Sequence, residues 1–452
     1  MGEQGSYAVS NWREMLSYWR QDILLGKVIR NSAHLFSSNS LSLALSFLMG
    51  IMSAQLLGVA GFGLIGLVMG YASTVNSLLS FRMSELVVRY GGEYIERGEK
   101  GRASVLIKAA GLAEAFVSVL AFALVALTSG LASHYISKTP NTAWMFTAFA
   151  VGLLANFNYE TSIGILQITD KIRWQGTINL IHGIVGVLVI AAAFIWGGGV
   201  ALVLLAYLLG KMILGLGVFL VAQTQLHRVL GAGWWKAPFA SIPSYQELAR
   251  FALNSNISAT IIKIFRESEI LWVGFFLNAT AAGYYRAAYA IIGLLAVAVD
   301  PLIATVYPEL NRLIMQKAWP RLRDFLRKVT TLAFAYNLVQ ALAFVFFGRW
   351  ILWLYGKQYV DAYPALLALL VGLAFNYTLF WNRPLLLSLG LSEYPIKVTL
   401  IVGLIKIALA FLIVPRYGYV AAGALLSFYY IASVGTMAWR GLREIRHQEQ
   451  KT

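Results

Sequence analysis

Twelve runs of apolar residues, each long enough to cross a lipid bilayer, constrain this 452-residue chain more than any other feature. A membrane-spanning helix needs about 20 predominantly apolar residues. Only 12% of the residues are charged, whereas a soluble domain carries about 25%. We therefore predict an all-α polytopic membrane protein. The predicted spans are 33–57, 62–81, 109–131, 142–168, 176–197, 200–222, 252–277, 280–310, 328–347, 362–388, 397–414 and 419–439.

The positive charge is distributed unequally between the loops that connect these spans. The net charge is +16, and most of the 36 lysine and arginine residues fall in alternate loops, in the amino-terminal segment and in the tail. The loops of the other side hold only Lys138, Arg349, Lys357 and Arg416. Because cytoplasmic loops of membrane proteins carry the excess of positive charge, both termini are predicted to be cytoplasmic in a cell (inner) membrane. This pattern explains the basicity without nucleic acid, and it favours contact with anionic membrane lipids.

The chain reads as two halves of six spans each, with similar patterns about 220 residues apart. An even number of spans returns the chain to the same side, so the repeat is parallel, and such transporters bind their cargo between the two lobes. The predicted organisation is an amphipathic cytoplasmic segment at 1–32, a first lobe at 33–222, a linker at 223–251, a second lobe at 252–439 and a cytoplasmic tail at 440–452.

The segment Lys263–Glu269 places four charged residues inside the seventh predicted span. A charge near the centre of a bilayer costs about 2.5–3.5 kcal/mol on insertion scales. These side chains must therefore face protein or a water-filled cavity rather than lipid. Lys263 and Glu267 are i,i+4 partners, and Arg266 and Glu269 are i,i+3 partners, so ion pairs that set helix packing are the alternative interpretation.

Several short motifs resemble those of one transporter family. Leu57–Leu64 is similar to a motif that opens the second helix of polysaccharide and O-antigen (Wzx-type) flippases, and Gly283–Tyr289 and Tyr307–Leu310 resemble their eighth helix. Leu354–Pro364 and Val414–Ala422 resemble the loops before their tenth and last helices. These flippases belong to the multidrug/oligosaccharidyl-lipid/polysaccharide superfamily, and the resemblance covers about 55–440. Residues 33–57 lack the arginines of lipid II flippases and the acidic residue of many drug antiporters, which favours the polysaccharide branch.

The resemblance implies two six-helix lobes around a cavity that opens alternately to each side of the membrane. It also implies a cargo of oligosaccharide on an undecaprenyl-phosphate-type carrier, for cell-surface polysaccharide or lipopolysaccharide biosynthesis. Glycan polymerases and glycosyltransferases are then candidate partners. Guanidinium and ammonium groups suit a lipid diphosphate. The candidate cargo-binding cations are Lys263, Arg266, Arg286, Lys211 and Lys406, and the candidate ion-coupling groups or charge partners are Glu267, Glu269, Asp300, Glu114 and Glu160.

Two other functions remain open at this stage. An ion-coupled antiporter for drugs or small molecules would have the same helix count, and so would a membrane glycan polymerase or ligase. The longest loop predicted on the outer side, about 348–361, is short for an enzyme that carries its catalytic groups there. The chain has no cysteine and its five histidines are scattered, so we predict no metal site and no cofactor.

Overall fold

The computed structural model describes residues 23–80, 82–239, 265 and 268–450, which form helices joined by turns. The helices are α1 Ile23–Leu79, α2 Met83–Leu86, α3 Gly92–Glu96, α4 Lys100–Leu131, α5 Ala143–Ala155, α6 Tyr159–Ile168, α7 Arg173–Ile195, α8 Val200–Leu230, α9 Glu269–Phe276, α10 Ala279–Ile292, α11 Ala296–Met315, α12 Trp319–Trp353, α13 Tyr363–Thr378, α14 Asn382–Ser388 and α15 Glu393–Glu449. Short π-helical turns at Val87–Gly91 and Ala132–Ser137 extend α2 and α4.

The two longest helices, α1 and α15, each fold back at one glycine. Gly58 has φ 65° and Gly418 has φ 73°, backbone angles that residues with a Cβ rarely adopt. Each glycine therefore makes a sharp reversal, so that α1 and α15 supply two passes apiece. This agrees with the predicted pairs of spans on either side of the two glycines.

The chain is apolar enough in the expected places to lie in a bilayer. Within the described residues, seven helical stretches are long and apolar enough to cross a membrane by length and composition. With the reversals in α1 and α15, and with passes assembled from shorter helices, the described residues form eleven passes and the end of a further one, in two lobes. The seventh pass is predicted at 252–277, and its described residues are Phe265 and 268–277. Large apolar side chains such as Leu127, Phe116 and Phe346 are exposed, as a lipid-facing surface requires.

Two passes that the sequence predicts as continuous helices are broken at membrane depth. The fourth pass consists of α5 and α6, which are separated at 156–158, and the tenth consists of α13 and α14, which are separated at 379–381. The breaks occupy corresponding positions in the two halves. Backbone groups freed inside a membrane must find partners in protein or water, so broken helices at this depth point to a cavity.

The turns repeat along the chain in the same way. Residues with positive φ recur in pairs about 220 positions apart, namely Gly98 with Lys317, Lys138 with Gly356, Asp170 with Gly390, and Gly197 with Gly418. We call the end of the bundle that carries Gly98, Asp170, Lys317 and Gly390 the basic side, and the end that carries Gly58, Lys138, Gly197, Gly356 and Gly418 the far side.

The helices pack within each half and then across the middle. Helices α1–α8 form the first lobe, where α7 packs on α1 and α8, and α9–α15 form the second lobe, where α13 packs on α15. The main crossing between the lobes is that of α1 with α10. Helix α8 runs to Leu230 and α15 to Glu449, whereas 1–22 and 240–264 lie outside the described residues, so the proposed domain limits stay predictions.

Candidate functional site

A cavity of about 1190 Å³ lies between the two lobes. Its walls come from α1, α4, α6 and α8 of the first lobe and from α10, α11 and α13–α15 of the second. Arg82 follows the basic-side end of α1, and Arg383 is on α14, the part of the tenth pass that leads to the basic side; both residues are exposed. On the far side the lobes meet, and Tyr355 and Tyr359 there have no exposed surface. The cavity is therefore open to the basic side and closed to the far side.

The cavity wall carries both signs of charge together with tyrosines and amides. Its charged residues are Arg82, Lys211, Arg383, Glu114 and Glu160. Tyrosine combines an apolar ring with a hydroxyl, and asparagine both donates and accepts hydrogen bonds, so these residue types suit a bulky polar ligand such as a glycan. They are Tyr159, Tyr289, Tyr307, Tyr377, Tyr429, Tyr430, Asn76, Asn156, Asn376 and Asn382.

Glu114 is built into the wall by the break in the fourth pass. Its Oε1 accepts a hydrogen bond of 2.7 Å from the backbone N–H of Glu160, and its Oε2 accepts one of 3.0 Å from Thr161. The first N–H groups of a helix have no partner within it, so this carboxylate caps α6 from α4. Glu160 in turn accepts a hydrogen bond of 2.6 Å from the hydroxyl of Ser84. Both predicted carboxylates thus line the cavity, next to one another.

Lys211 reaches the same region from α8. Its ammonium lies 5.4 Å from the centre of the Phe149 ring, and its aliphatic stem crosses Gly152, where a Cβ would approach within 3.0 Å of Cδ. Gly152 therefore makes room for Lys211 along α5. Of the five predicted cargo-binding cations, the described residues place Lys211 in the cavity wall.

Lys406 and Glu269 lie elsewhere, in a buried ion pair. The Lys406 ammonium donates to the Glu269 carboxylate and, at 2.6 Å, to the backbone carbonyl of Phe265. The side chains are 2% and 7% exposed, and the pair joins α9 to α15. Lys406 is a predicted cargo-binding cation, and the i,i+3 spacing predicts Arg266 as the partner of Glu269. In the structure Lys406 and Glu269 pair with each other behind Tyr429, whose ring lies 5.1 Å from the ammonium, and neither lines the cavity.

Arg286 belongs to the far-side closure rather than to the cavity wall. Its Nη1 donates a hydrogen bond of 2.7 Å to the backbone carbonyl of Phe62, and the guanidinium carbon lies 4.1 Å from the centre of the Phe62 ring. Tyr289, one turn further along α10, does line the cavity. Arg286 is thus just beyond the closed end of the cavity.

Four predicted residues cannot be placed as side chains. Lys263, Arg266 and Glu267 lie outside the described residues, and Asp300 is on α11 with a side chain that is likewise outside the description. Arg82 and Arg383 are not among the predicted site residues, because Arg82 falls in a predicted cytoplasmic loop and Arg383 lies near the inner end of the tenth predicted span, where its long side chain can reach the interface. The signal that could have singled out Arg383 is its position at the break in the tenth pass.

Comparison with known proteins assigns this chain to a family. Residues 28–314, more than half of the chain, match the family described as polysaccharide biosynthesis protein. The chain belongs to that family. It is also similar to the inner membrane protein YghQ of Escherichia coli (strain K12), with 23% identity over 355 residues that cover 77% of this chain and 98% of the relative.

Solved structures with the same fold include members of the multidrug/oligosaccharidyl-lipid/polysaccharide superfamily. A multidrug-resistance transporter of the MATE family in an inward-facing conformation superposes with a TM-score of 0.71 at 14% identity, over 91% of this chain and 96% of that one. The lipid II flippase MurJ in an inward closed conformation gives a TM-score of 0.70 at 15% identity, over 90% and 87%. The expected fold, with two six-helix lobes, is confirmed. The protein is a multi-pass membrane protein with the fold of these structures.

Proposed function

We propose that this protein is a flippase that moves a polyprenyl-(di)phosphate-linked oligosaccharide across the cell membrane by alternating access, for the synthesis of cell-surface polysaccharide or lipopolysaccharide. The observation that carries the proposal is the cavity between the lobes, whose wall carries lysine, arginine, tyrosine and asparagine side chains and which is open at one side only. A glycan cannot cross hydrocarbon without losing its hydrogen bonds to water, a loss that amides and hydroxyls of a cavity wall can offset.

The cargo has three chemically different parts, and different groups suit each of them. Arg82, Lys211 and Arg383 suit the phosphoryl groups, because hydrogen bonds between cations and phosphate are the strongest available to side chains. The tyrosines and asparagines of the wall suit the sugars. The polyprenyl tail needs no site in this scheme, because it can remain in the bilayer beside the bundle. Lys263 and Arg266 remain candidate cations of the same kind.

The orientation and the driving force are further parts of the proposal. The positive-inside rule puts the basic side, and with it both termini, in the cytoplasm. The cavity is then open to the cytoplasm. Glu114 and Glu160 are our candidates for ion coupling, because both face the cavity at a broken helix, a common place for coupling sites in transporters. Glu160 is on the broken helix itself, and Glu114 of α4 accepts hydrogen bonds from its first N–H groups.

The test is reconstitution of the purified protein with a fluorescent lipid-linked oligosaccharide in vesicles. Flipping is measured as the fraction of label that an impermeant quencher can reach, with and without a proton or sodium gradient. The variant Lys211→Met combined with Arg383→Gln should lower the rate about tenfold or more, as expected when a charge-assisted hydrogen bond is lost. The control is Lys397→Met, which removes a lysine that is 68% exposed in a surface pair with Glu393.

Equal rates in the double variant and the control would remove these cations from the mechanism. No flipping by the parent protein under any gradient would contradict the flippase itself. The carboxylates in the cavity also suit an antiporter of organic cations, and gradient-driven efflux of such cations from the same vesicles would identify that function. Formation of a glycosidic bond by the purified protein would identify a polymerase or ligase.

A further inference from the structure

The far-side closure is held by hydrogen bonds that run from a side chain of one lobe to a backbone carbonyl of the other. Arg286 donates to Phe62, and the hydroxyl of Tyr359 lies 3.3 Å from the carbonyl of Ala54. Gln55 of the first lobe donates in the opposite direction, at 2.7 Å, to the carbonyl of Leu354. We call this set of contacts, where α1 meets α10 and the turn before α13, the far-side seam.

Glycines let the two lobes come this close. A Cβ on Gly63 would stand 1.9 Å from the carbonyl oxygen of Ala279, and one on Gly283 would stand 2.1 Å from that of Val59. Gly66 lies one helical turn after Phe62, and a Cβ there would stand 2.7 Å from Cδ of Arg286. The absence of a side chain at Gly66 therefore leaves the path of the arginine to the Phe62 carbonyl open.

Within the described residues, the hydrogen bonds and ring contacts of the Arg286 guanidinium all cross the seam. Besides the carbonyl and ring of Phe62, it approaches the sulfur of Met69 at 3.7 Å and the ring of Tyr207 at 5.5 Å. All these groups belong to the first lobe, whereas Arg286 is on α10 of the second. Within the part of the chain that the structure describes, no carboxylate forms an ion pair with Arg286. Among the described residues, the carbonyl dipole of Phe62 and the ring faces of Phe62 and Tyr207 stabilise this charge.

Separation of the lobes would remove all these partners together and leave a half-buried guanidinium. A charge that loses its partners in a membrane protein needs water or a counter-ion, and a phosphoryl group is the best anionic match for a guanidinium. Tyr289 lines the cavity one turn from Arg286, so an anion that reaches the closed end of the cavity comes close to this arginine.

We propose that Arg286 is the latch of the far-side seam, and that a phosphoryl group at the closed end of the cavity releases it by competing with the Phe62 carbonyl. The second part rests on the proposed function, because it takes the phosphoryl group from the lipid carrier. The latch itself rests on the seam geometry alone. In this scheme Arg286 is a gating residue that links the arrival of the anion to the opening of the far side.

The experiment uses the absence of cysteine from the chain. A pair of cysteines at Gln55 and Leu354, joined by a short bismaleimide, reports how often the seam is closed in the purified protein. The pair is present in every variant, so the loss of its own hydrogen bond is common to all. Arg286→Met should lower the rate of cross-linking about tenfold, the factor that corresponds to one hydrogen bond made by a charged group.

Two further variants separate the latch from general damage. Gly66→Ala keeps the arginine but puts a methyl group in its path, and it should also slow cross-linking. Arg349→Met is the matched control, since Arg349 is exposed on α12 with its guanidinium 5.0 Å from the centre of the Tyr363 ring, a contact within the second lobe. Cross-linking of Arg286→Met and Gly66→Ala at the control rate would overturn the latch. If Arg286→Met does not fold, Gly66→Ala decides.

Farnesyl diphosphate, with farnesol as the uncharged control, tests the release step. The diphosphate should slow cross-linking in the parent pair severalfold and have no effect on Arg286→Met, while farnesol should have none on either. Equal responses of parent and variant would overturn competition at Arg286. Because cross-linking needs no transport, a seam that responds as expected in a protein that flips no lipid-linked oligosaccharide would retain the latch and reject the proposed function.

Discussion

At the scale of single residues, the Lys406–Glu269 pair explains how two charges persist within the apolar interior. Each ion alone would cost several kcal/mol to bury, and attraction between them offsets that cost only when the remaining donors also have acceptors. The Phe265 carbonyl supplies one such acceptor. Gly403 contributes by leaving space for the Phe265 ring, which stands 2.5 Å from the position of its missing Cβ.

This arrangement predicts strong coupling between the two residues. Lys406→Met should lower the free energy of unfolding by about 3–5 kcal/mol, because the carboxylate of Glu269 is left buried without a counter-charge. The double variant with Glu269→Leu should recover most of that loss, since no ion remains. Thermal unfolding of the purified protein measures both effects.

The exposed pair of Lys397 and Glu393 is the matched control for this prediction. The same truncation, Lys397→Met, should change stability by about 0–1 kcal/mol, since surface pairs contribute little. A small loss in Lys406→Met, equal to that of the control, would mean that the buried pair contributes no more than a solvated one.

At the scale of helices, breaks and glycine crossings determine where the molecule can be polar and where it can close. The break between α5 and α6 leaves two backbone N–H groups free to donate hydrogen bonds to Glu114. These bonds hold the carboxylate in the cavity wall. The crossing of α1 and α10 does the opposite, because Gly63 and Gly283 leave no space for side chains or water between the backbones. The interface between the lobes thus contains the cavity towards the basic side and the far-side seam at the other end.

The crossing gives a prediction about closure. Gly63→Ala should prevent the seam from closing fully, because the new methyl group would overlap the backbone of α10 at Ala279. We expect the Gln55–Leu354 cross-link to form much more slowly and the cavity to become accessible from the far side. Accessibility is measured by labelling a cysteine at Tyr289 with an impermeant thiol reagent added to that side.

The matched variant is Gly130→Ala in α4, where a Cβ would meet no atom within 4 Å. Alanine favours helix over glycine by about 1 kcal/mol, so this change should leave the seam unaffected and stability equal or slightly higher. Unaltered cross-linking in Gly63→Ala would show that the seam tolerates a wider separation of the backbones.

At the scale of the whole molecule, the distribution of charge predicts how the protein sits in the membrane. Cysteines placed singly at Lys138 or Lys357, on the far side, should react with an impermeant thiol reagent in intact spheroplasts. Cysteines at Asp170 or Gly390, on the basic side, should react only after the membrane is opened. The pairs lie in corresponding turns of the two lobes and therefore control for one another. The reverse pattern would place the cavity opening outside the cell.

The sequence by itself determined the membrane class, the number of passes and the repeat. These follow from local properties, since the length of an apolar run and the side on which arginine and lysine fall need no knowledge of neighbours. The gaps between the predicted spans 33–57 and 62–81 and between 397–414 and 419–439 also located the two reversals, which the structure places at Gly58 and Gly418. Glu114, Glu160 and Lys211 could be named for the same reason, as charges within spans.

Only the tertiary structure decided what each charge does. Lys406 and Glu269 are 137 positions apart, and Arg286 and Phe62 are 224 apart, so no helical spacing connects them. A buried charge must meet a partner or water, but which of the two it meets depends on how distant helices cross. That crossing placed Lys211 and the two glutamates at the cavity, paired Lys406 with Glu269 behind it, and set Arg286 in the seam.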